Sequence, residues 1–347
     1  MIPDQKPGAA SGPHTARIGL LLAAAAVLFW SFGSALIYLG AREAGTWQFV
    51  LVATLTAGLL QLLFRYASAR ELRTAITLPP RLWAGPVLCF IVYGLAWPCA
   101  LAGSTERQVG GVNLINYLWP VLTVVFSVWW VPGTRLTKNV IVSVILALAG
   151  LFCANIKIIR ELFSVNTASD PGTAPHLPYV LASVAALTWA IYSALLARWR
   201  SWARQYVTSP VGFLSIAAVA ALVLLLKGGT LSHVRLAAWV MVLCYGMGPL
   251  AAGYLLWELA LARAGVQSLS LIAAATPILS TILLSCCLRI MPSVDLIFAA
   301  VLITAGVVVS VLEPSAPFRA DPAVDQEDNG IQVPAPTGSR DKAPDTF

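Results

Sequence analysis

The 347 residues are 59% hydrophobic and only 11% charged, where soluble domains carry about a quarter charged residues. A soluble chain of this length needs more charge to cover its surface, and a mean hydropathy of +0.80 excludes a soluble enzyme. The remaining class is a polytopic membrane protein, whose net charge of +7 suits contact with anionic membrane lipid and gives no reason to invoke nucleic acid.

A spanning helix needs about 20 apolar residues at about 1.5 Å each. In chain order, a polar leader over 1–17 precedes apolar runs at 18–40, 47–66, 82–103, 109–131 and 138–155. Five more follow at 178–199, 209–227, 236–262, 267–290 and 294–312. Ten transmembrane helices are therefore predicted. The first run is too long for a signal-peptide core and lacks a small-x-small cleavage site, so it reads as a retained helix. The stretch 156–177, with NTASDPGTAPH at its centre, is the longest internal loop. From Glu313 the chain holds six prolines and seven acids; such a segment buries too little apolar surface to order itself and is expected to be a disordered cytoplasmic tail over 313–347. About two-thirds of the basic residues, among them Lys6, Arg17, Arg65, Arg81, Arg135 and Arg198, fall on the side of the N-terminus, which places both termini in the cytoplasm.

The two halves resemble each other. WSFGSAL at 30–36 aligns with WAIYSAL at 189–195, WPCALA at 97–102 with WELALA at 257–262, and WPVLT at 119–123 with TPILS at 276–280. The separation is nearly constant. Five helices per half is an odd number, so the second repeat (178–312) must enter the membrane inverted relative to the first (18–155), with 156–177 an extracytoplasmic linker. Inverted repeats around a midplane site are the architecture of secondary transporters.

Candidate chemistry is sparse. There is no G-x4-G-K-[ST] loop, and Gly246-Met247-Gly248 lacks dinucleotide-fingerprint spacing. The histidines His14, His176 and His233 lie in polar segments or loops, and the six cysteines sit in apolar runs without metal-ligand spacing. The cysteines read as small core residues, and no metal or cofactor is predicted. The helix interiors offer aromatic and amide groups instead. Asn113, Asn116, Tyr117 and Pro120 share one face of helix four, with Trp119 bordering it. Tyr93 pairs with Trp97 on helix three, Trp30 with Ser34 on helix one, Trp189 with Tyr192 on helix six, and Tyr254 with Trp257 and Glu258 on helix eight. These residues line a cavity, or else the rings form interfacial belts and the amides form interhelical hydrogen bonds. Trp47, Trp83, Trp129, Trp130, Trp199, Trp202 and Trp239 suit the belt. Glu258 is the carboxylate clearly inside a predicted span. It is a proton site or a partner for a substrate ammonium, or else, near the cytoplasmic end of helix eight, it snorkels to the interface or forms a gate with Arg263 or another inner-side arginine. Pro120 and Pro277 occupy matching places in the halves and read as paired kinks or hinges, with Thr123 and Ser280 at hand to satisfy the freed carbonyls.

The pentad Asn116-Tyr117-Leu118-Trp119-Pro120, with Trp30-Ser31, Trp189-Ala190-x-Tyr192, Tyr254-x-x-Trp257 and Thr276-Pro277-x-Leu279-Ser280, resembles the YddG-type aromatic amino-acid exporters of the drug/metabolite transporter (EamA) superfamily. The likeness spans about 18–312. It implies ten helices in two inverted repeats, a bacterial inner-membrane location, and export of phenylalanine, tyrosine, tryptophan and some other neutral amino acids such as methionine or threonine. The oligomeric state stays open, and a monomer would suffice. The family pattern has an amide where Glu258 stands, so coupling and charge preference stay open. On the residues alone, a broad drug or metabolite exporter is the rival; a membrane-embedded enzyme on lipid-linked substrates would need a second catalytic group beside Glu258.

Overall fold

Leucine, alanine and valine fill the apolar runs, and glycine, proline and polar clusters separate most of them. In the computed structural model, residues 13–66, 73, 77–131, 134–163, 176–199, 208–228, 234–261, 263–264 and 266–312 are described. The leader before 13, most of the expected linker (164–175), the tail from 313 and Trp202 lie outside them.

The helices are α1 Pro13–Ala44, α2 Thr46–Tyr66, α3 Pro80–Ala102, α4 Glu106–Trp130 and α5 Lys138–Phe163. The second half adds α6 Leu177–Arg198, α7 Ser209–Leu226, α8 Leu236–Leu261, α9 in two pieces, Val266–Ala273 and Thr276–Leu288, and α10 Val294–Leu312. Among the described residues nine helices are long and apolar enough to cross a bilayer, and α10 supplies a shorter apolar stretch, Val294–Ser310. The protein is all-α. Gly45, at φ +85°, makes the tight turn from α1 to α2, a conformation that costs glycine nothing. The Thr105 N–H donates to Gln108 Oε1 at 3.1 Å and opens α4. The helix α5 runs past its expected end at 155 to Phe163.

Packing repeats between the halves. In the first, α1 lies on α8 and α9; in the second, α6 lies on α3 and α4. Helix α2 pairs with α7, and α5 with α10. Replacing every helix by the one five places along reproduces these contacts, so the halves are related by an approximate two-fold. Because five antiparallel spans end opposite to where they began, such a pair fits a bilayer only as inverted copies.

The third helix of each half carries a π segment around a proline: Trp83–Val87 with Pro86, and Gly246–Ala252 with Pro249. Proline lacks an N–H and its ring crowds the carbonyl four residues back; one extra residue in the turn relieves both. The Leu88 N–H accordingly reaches Trp83 O, and the Gly253 N–H reaches Gly248 O, each five residues back.

Helices four and nine are interrupted where continuous helices were expected. The breaks fall at Tyr117–Leu118 and Ala274–Ala275, so Pro120 and Pro277 stand in the first turn of a new segment, where a missing N–H costs least. Tyr117, Leu118 and Ala275 donate to carbonyls three residues back, each at 3.1 Å. The expected hydroxyl partners also change. Thr123 bonds to Trp119 O at 2.7 Å and Ser280 turns to other side chains. It is Thr276 Oγ1 that donates, at 2.6 Å, to Ala273 O, the carbonyl that Pro277 leaves without its helical donor. The cysteines correct a second expectation: Cys244, Cys286 and Cys287 are exposed, and Cys89, Cys99 and Cys153 are half-buried. In a membrane protein the lipid-facing surface is as apolar as the core, so an apolar run does not say which way a side chain points.

Candidate functional site

Aromatic side chains from six helices meet between the halves. Trp30 (α1) contacts Tyr254 and Trp257 (α8), with ring centroids 5.8 and 5.3 Å away. Trp189 (α6) contacts Tyr93 (α3) at 4.5 Å, Tyr192 at 5.1 Å, Tyr254 at 5.9 Å and Trp119 (α4) at 6.1 Å. The tryptophans Trp30 and Trp189 hold matching places in the two halves, and each contacts a tyrosine of the other half. Phe90 (α3) ties the groups together, lying 5.1 to 5.9 Å from Phe213 (α7), Tyr192, Trp189 and Tyr254. Most of these rings meet edge-on or tilted, the arrangement their quadrupoles favour. The network is continuous from Trp257 to Trp119.

Backbone geometry holds the rings in place. The Trp30 indole N–H donates to Pro249 O at 3.1 Å, and Gly253 makes room for it: a Cβ there would lie 2.7 Å from the indole nitrogen. Beside the rings is a cavity of about 20 Å³ lined by Tyr93, Trp97, Phe213, Tyr245 and Tyr254, room for one water molecule. An aromatic side chain enters this space only if the rings separate. Asn116 is buried, its amide faces the Tyr93 hydroxyl, and its Oδ1 has no hydrogen-bond partner among the described residues.

Asn113 and Tyr117 belong to a separate polar knot that joins the halves. Asn113 is fully buried and donates to Ser280 Oγ at 3.2 Å, and Ser280 donates to Ser34 Oγ at 3.3 Å. The Tyr117 hydroxyl faces Ser34 and Ser280, while its ring packs with Leu114, Ala300 and Ile303.

One turn beyond the rings the lining becomes polar. Glu258 follows Tyr254 by one turn of α8 and forms an ion pair with Arg65 Nη2 from α2. Ser209, one turn before Phe213 on α7, donates to Gln61 Oε1 at 2.7 Å and to Glu258 Oε1 at 3.4 Å. Gln61 points its amide nitrogen at Leu250 O and Ala251 O, 3.5 Å from each. The Tyr192 hydroxyl reaches Thr208 Oγ1 at 3.2 Å, on the residue preceding Ser209, so the ring network adjoins this cluster. Arg263 Nη1 donates to Leu259 O at 2.8 Å. Among the described residues no group of three or more His, Cys, Asp or Glu is placed to hold a metal ion.

The structure thus joins Trp30, Tyr93, Trp119, Trp189, Tyr192, Tyr254 and Trp257 in one network, with Trp97 on the adjoining cavity and Asn116 at Tyr93. Sequence reasoning missed Phe90, Phe213 and Tyr245, whose surroundings are uniformly apolar. Among the inner-side arginines left open as partners of Glu258, the structure selects Arg65, which sequence reasoning had not singled out. The available signal was an arginine within an apolar helix, which needs a countercharge.

A model of the EamA-like transporter family matches residues 17–156 and 176–312. The chain is 32% identical to an aromatic amino acid exporter YddG of Ancylobacter novellus over 203 residues, 58% of this chain and 66% of that one. It is 32% identical over 110 residues to the Salmonella typhimurium exporter of the same name, covering 31% and 36% of the two chains. Over 112 residues it is 31% identical to the Escherichia coli one, covering 32% and 37%. The chain therefore spans from about a third to just under two thirds of these relatives' lengths. A solved crystal structure superposes with a TM-score of 0.61 at 24% identity, over 85% of this chain and 97% of its own, a likeness of fold alone.

Proposed function

Because the chain belongs to the EamA-like transporter family, we propose that it is a secondary transporter exporting aromatic and other neutral amino acids across the bacterial inner membrane, through the space between its halves. The observation that carries this reading is the continuous ring network, in which Trp30 and Trp189 each meet a tyrosine of the other half, and beside which Asn116 Oδ1 has no hydrogen-bond partner among the described residues. A phenylalanine, tyrosine or tryptophan side chain would part the rings and replace their mutual contacts. It would bury apolar area at about 25 cal/mol per Å², and its ring contacts, each worth about 0.5–1.5 kcal/mol, would stand in for those the rings give up. Asn116 Oδ1 would accept a hydrogen bond from the substrate. Rocking of one half on the other, eased where Pro120 and Pro277 interrupt their helices, would expose the site to either side in turn. In this reading both termini and the polar tail are cytoplasmic and the linker between the halves is extracytoplasmic. Counterflow into proteoliposomes tests it, with labelled phenylalanine, tryptophan, methionine, threonine and leucine as probes. Phenylalanine and tryptophan should exchange fastest. Exchange of amphipathic drugs with none of any amino acid would replace this reading with that of a general drug or metabolite exporter.

A further inference from the structure

We propose that Arg65 and Glu258 form a clamp for the zwitterionic end of the transported amino acid: Arg65 takes its carboxylate, and Glu258 its ammonium. The inference rests on the amino-acid reading above and assigns a specificity to residues outside the ring network.

An aromatic amino acid is a ring joined through a short stem to adjacent charges of opposite sign. The protein presents a matching sequence of surfaces. Tyr254 and Phe213 belong to the ring network, and Glu258 and Ser209 lie one turn farther along the same helices, about 6 Å for four residues. On α2, Thr54 lines the cavity, with Gln61 and Arg65 two and three turns beyond on the same face.

The state of the pair also points to a ligand. Arg65 is 3% exposed, whereas the Glu258 side chain is 40% exposed. Glu258 engages Arg65 through Nη2, and Nε of this buried guanidinium has no acceptor among the described residues. The Nε–Nη2 edge is the one a carboxylate grips with both oxygens. An incoming carboxylate would occupy that edge in place of Glu258, whose carboxylate would turn to the ammonium group one carbon away. No net charge is buried in the exchange. The same event would break one polar tie between α2 and α8, one of several contacts that join the halves.

The test is inhibition of labelled phenylalanine counterflow in proteoliposomes of the full chain by phenylalanine, 3-phenylpropanoate (no ammonium) and phenethylamine (no carboxylate). In the parent protein phenylalanine should compete about tenfold better than either analogue. Arg65→Gln should bring phenethylamine level with phenylalanine, and Glu258→Gln should do so for 3-phenylpropanoate. Each single variant leaves one charge unpaired and can fail to fold. The double variant R65Q/E258Q removes both charges together and carries the decision: its three inhibitors should fall within about twofold of one another. If the double variant keeps the parent's ranking, or weakens all three inhibitors by one common factor, the pair is only a strut between α2 and α8 and the clamp is refuted. Equal inhibition by all three compounds in the parent refutes the clamp while leaving amino-acid transport standing. A parent that exchanges no amino acid refutes both.

Discussion

Replacing Thr276 by valine preserves the branched shape and removes one hydroxyl. That hydroxyl donates to Ala273 O at 2.6 Å, the acceptor that Pro277 cannot serve because it has no N–H. Thr276 is 7% exposed, so water does not readily take the hydroxyl's place. A stranded interior acceptor costs about 1–2 kcal/mol, the upper part of the range found for hydrogen bonds within membrane helices. Pro277→Ala supplies a backbone N–H at the required position. The double variant T276V/P277A should therefore recover most of the loss, with a coupling of about 1 kcal/mol between the two sites. Unfolding of purified protein in mixed micelles, followed by tryptophan fluorescence, measures all four corners of the cycle. Strictly additive effects, or a Thr276→Val variant as stable as the parent, would refute the claim that this hydroxyl stands in for the proline's missing donor. The double variant also separates stability from motion. If the interruption of α9 flexes during transport, T276V/P277A should exchange amino acids more slowly than the parent at parental stability.

Trp189 touches Phe90, Tyr93, Trp119, Tyr192 and Tyr254, so Trp189→Ala should raise the apparent KM for phenylalanine about 2- to 10-fold, the equivalent of one lost ring pair. Leucine exchange should change less and Trp189→Phe should restore most of the loss; equal losses for leucine and phenylalanine would argue against ring-to-ring recognition. Gly246→Ala would set a Cβ 2.7 Å from the carbonyl oxygen of Ala53, pressing the backbone of α8 on that of α2. It should destabilise the protein by about 1–3 kcal/mol and lower its Tm, and an unchanged Tm would contradict so close a contact.

The aromatic candidates were legible because tryptophan and tyrosine stand out in a background of leucine and alanine, and because Trp30 and Trp189 recur at matching places in the repeat. Phe90 and Phe213 did not stand out: phenylalanine in an apolar helix carries no mark of whether it faces lipid, core or cavity. Asn113 and Asn116 looked alike on one helical face, yet Asn113 is bonded across to Ser280 while Asn116 Oδ1 has no partner among the described residues. Which of two amides has a donor across from it depends on another helix. Glu258 was conspicuous as an intramembrane acid, but Arg65 read as one more basic residue at a helix end.

Helix number, the repeat and the membrane class follow from apolar run lengths and from residue recurrence, which are local properties of the chain. Partner choice is not local. That Arg65 meets Glu258, that Thr276 serves the carbonyl stranded by Pro277, and that α3 and α8 widen into π turns all depend on where helices distant in the chain come to rest. In a bilayer the outer face and the core share one apolar composition, so hydrophobicity finds the helices but cannot rotate them about their axes. Only packing between the halves decides which face of each helix turns inward.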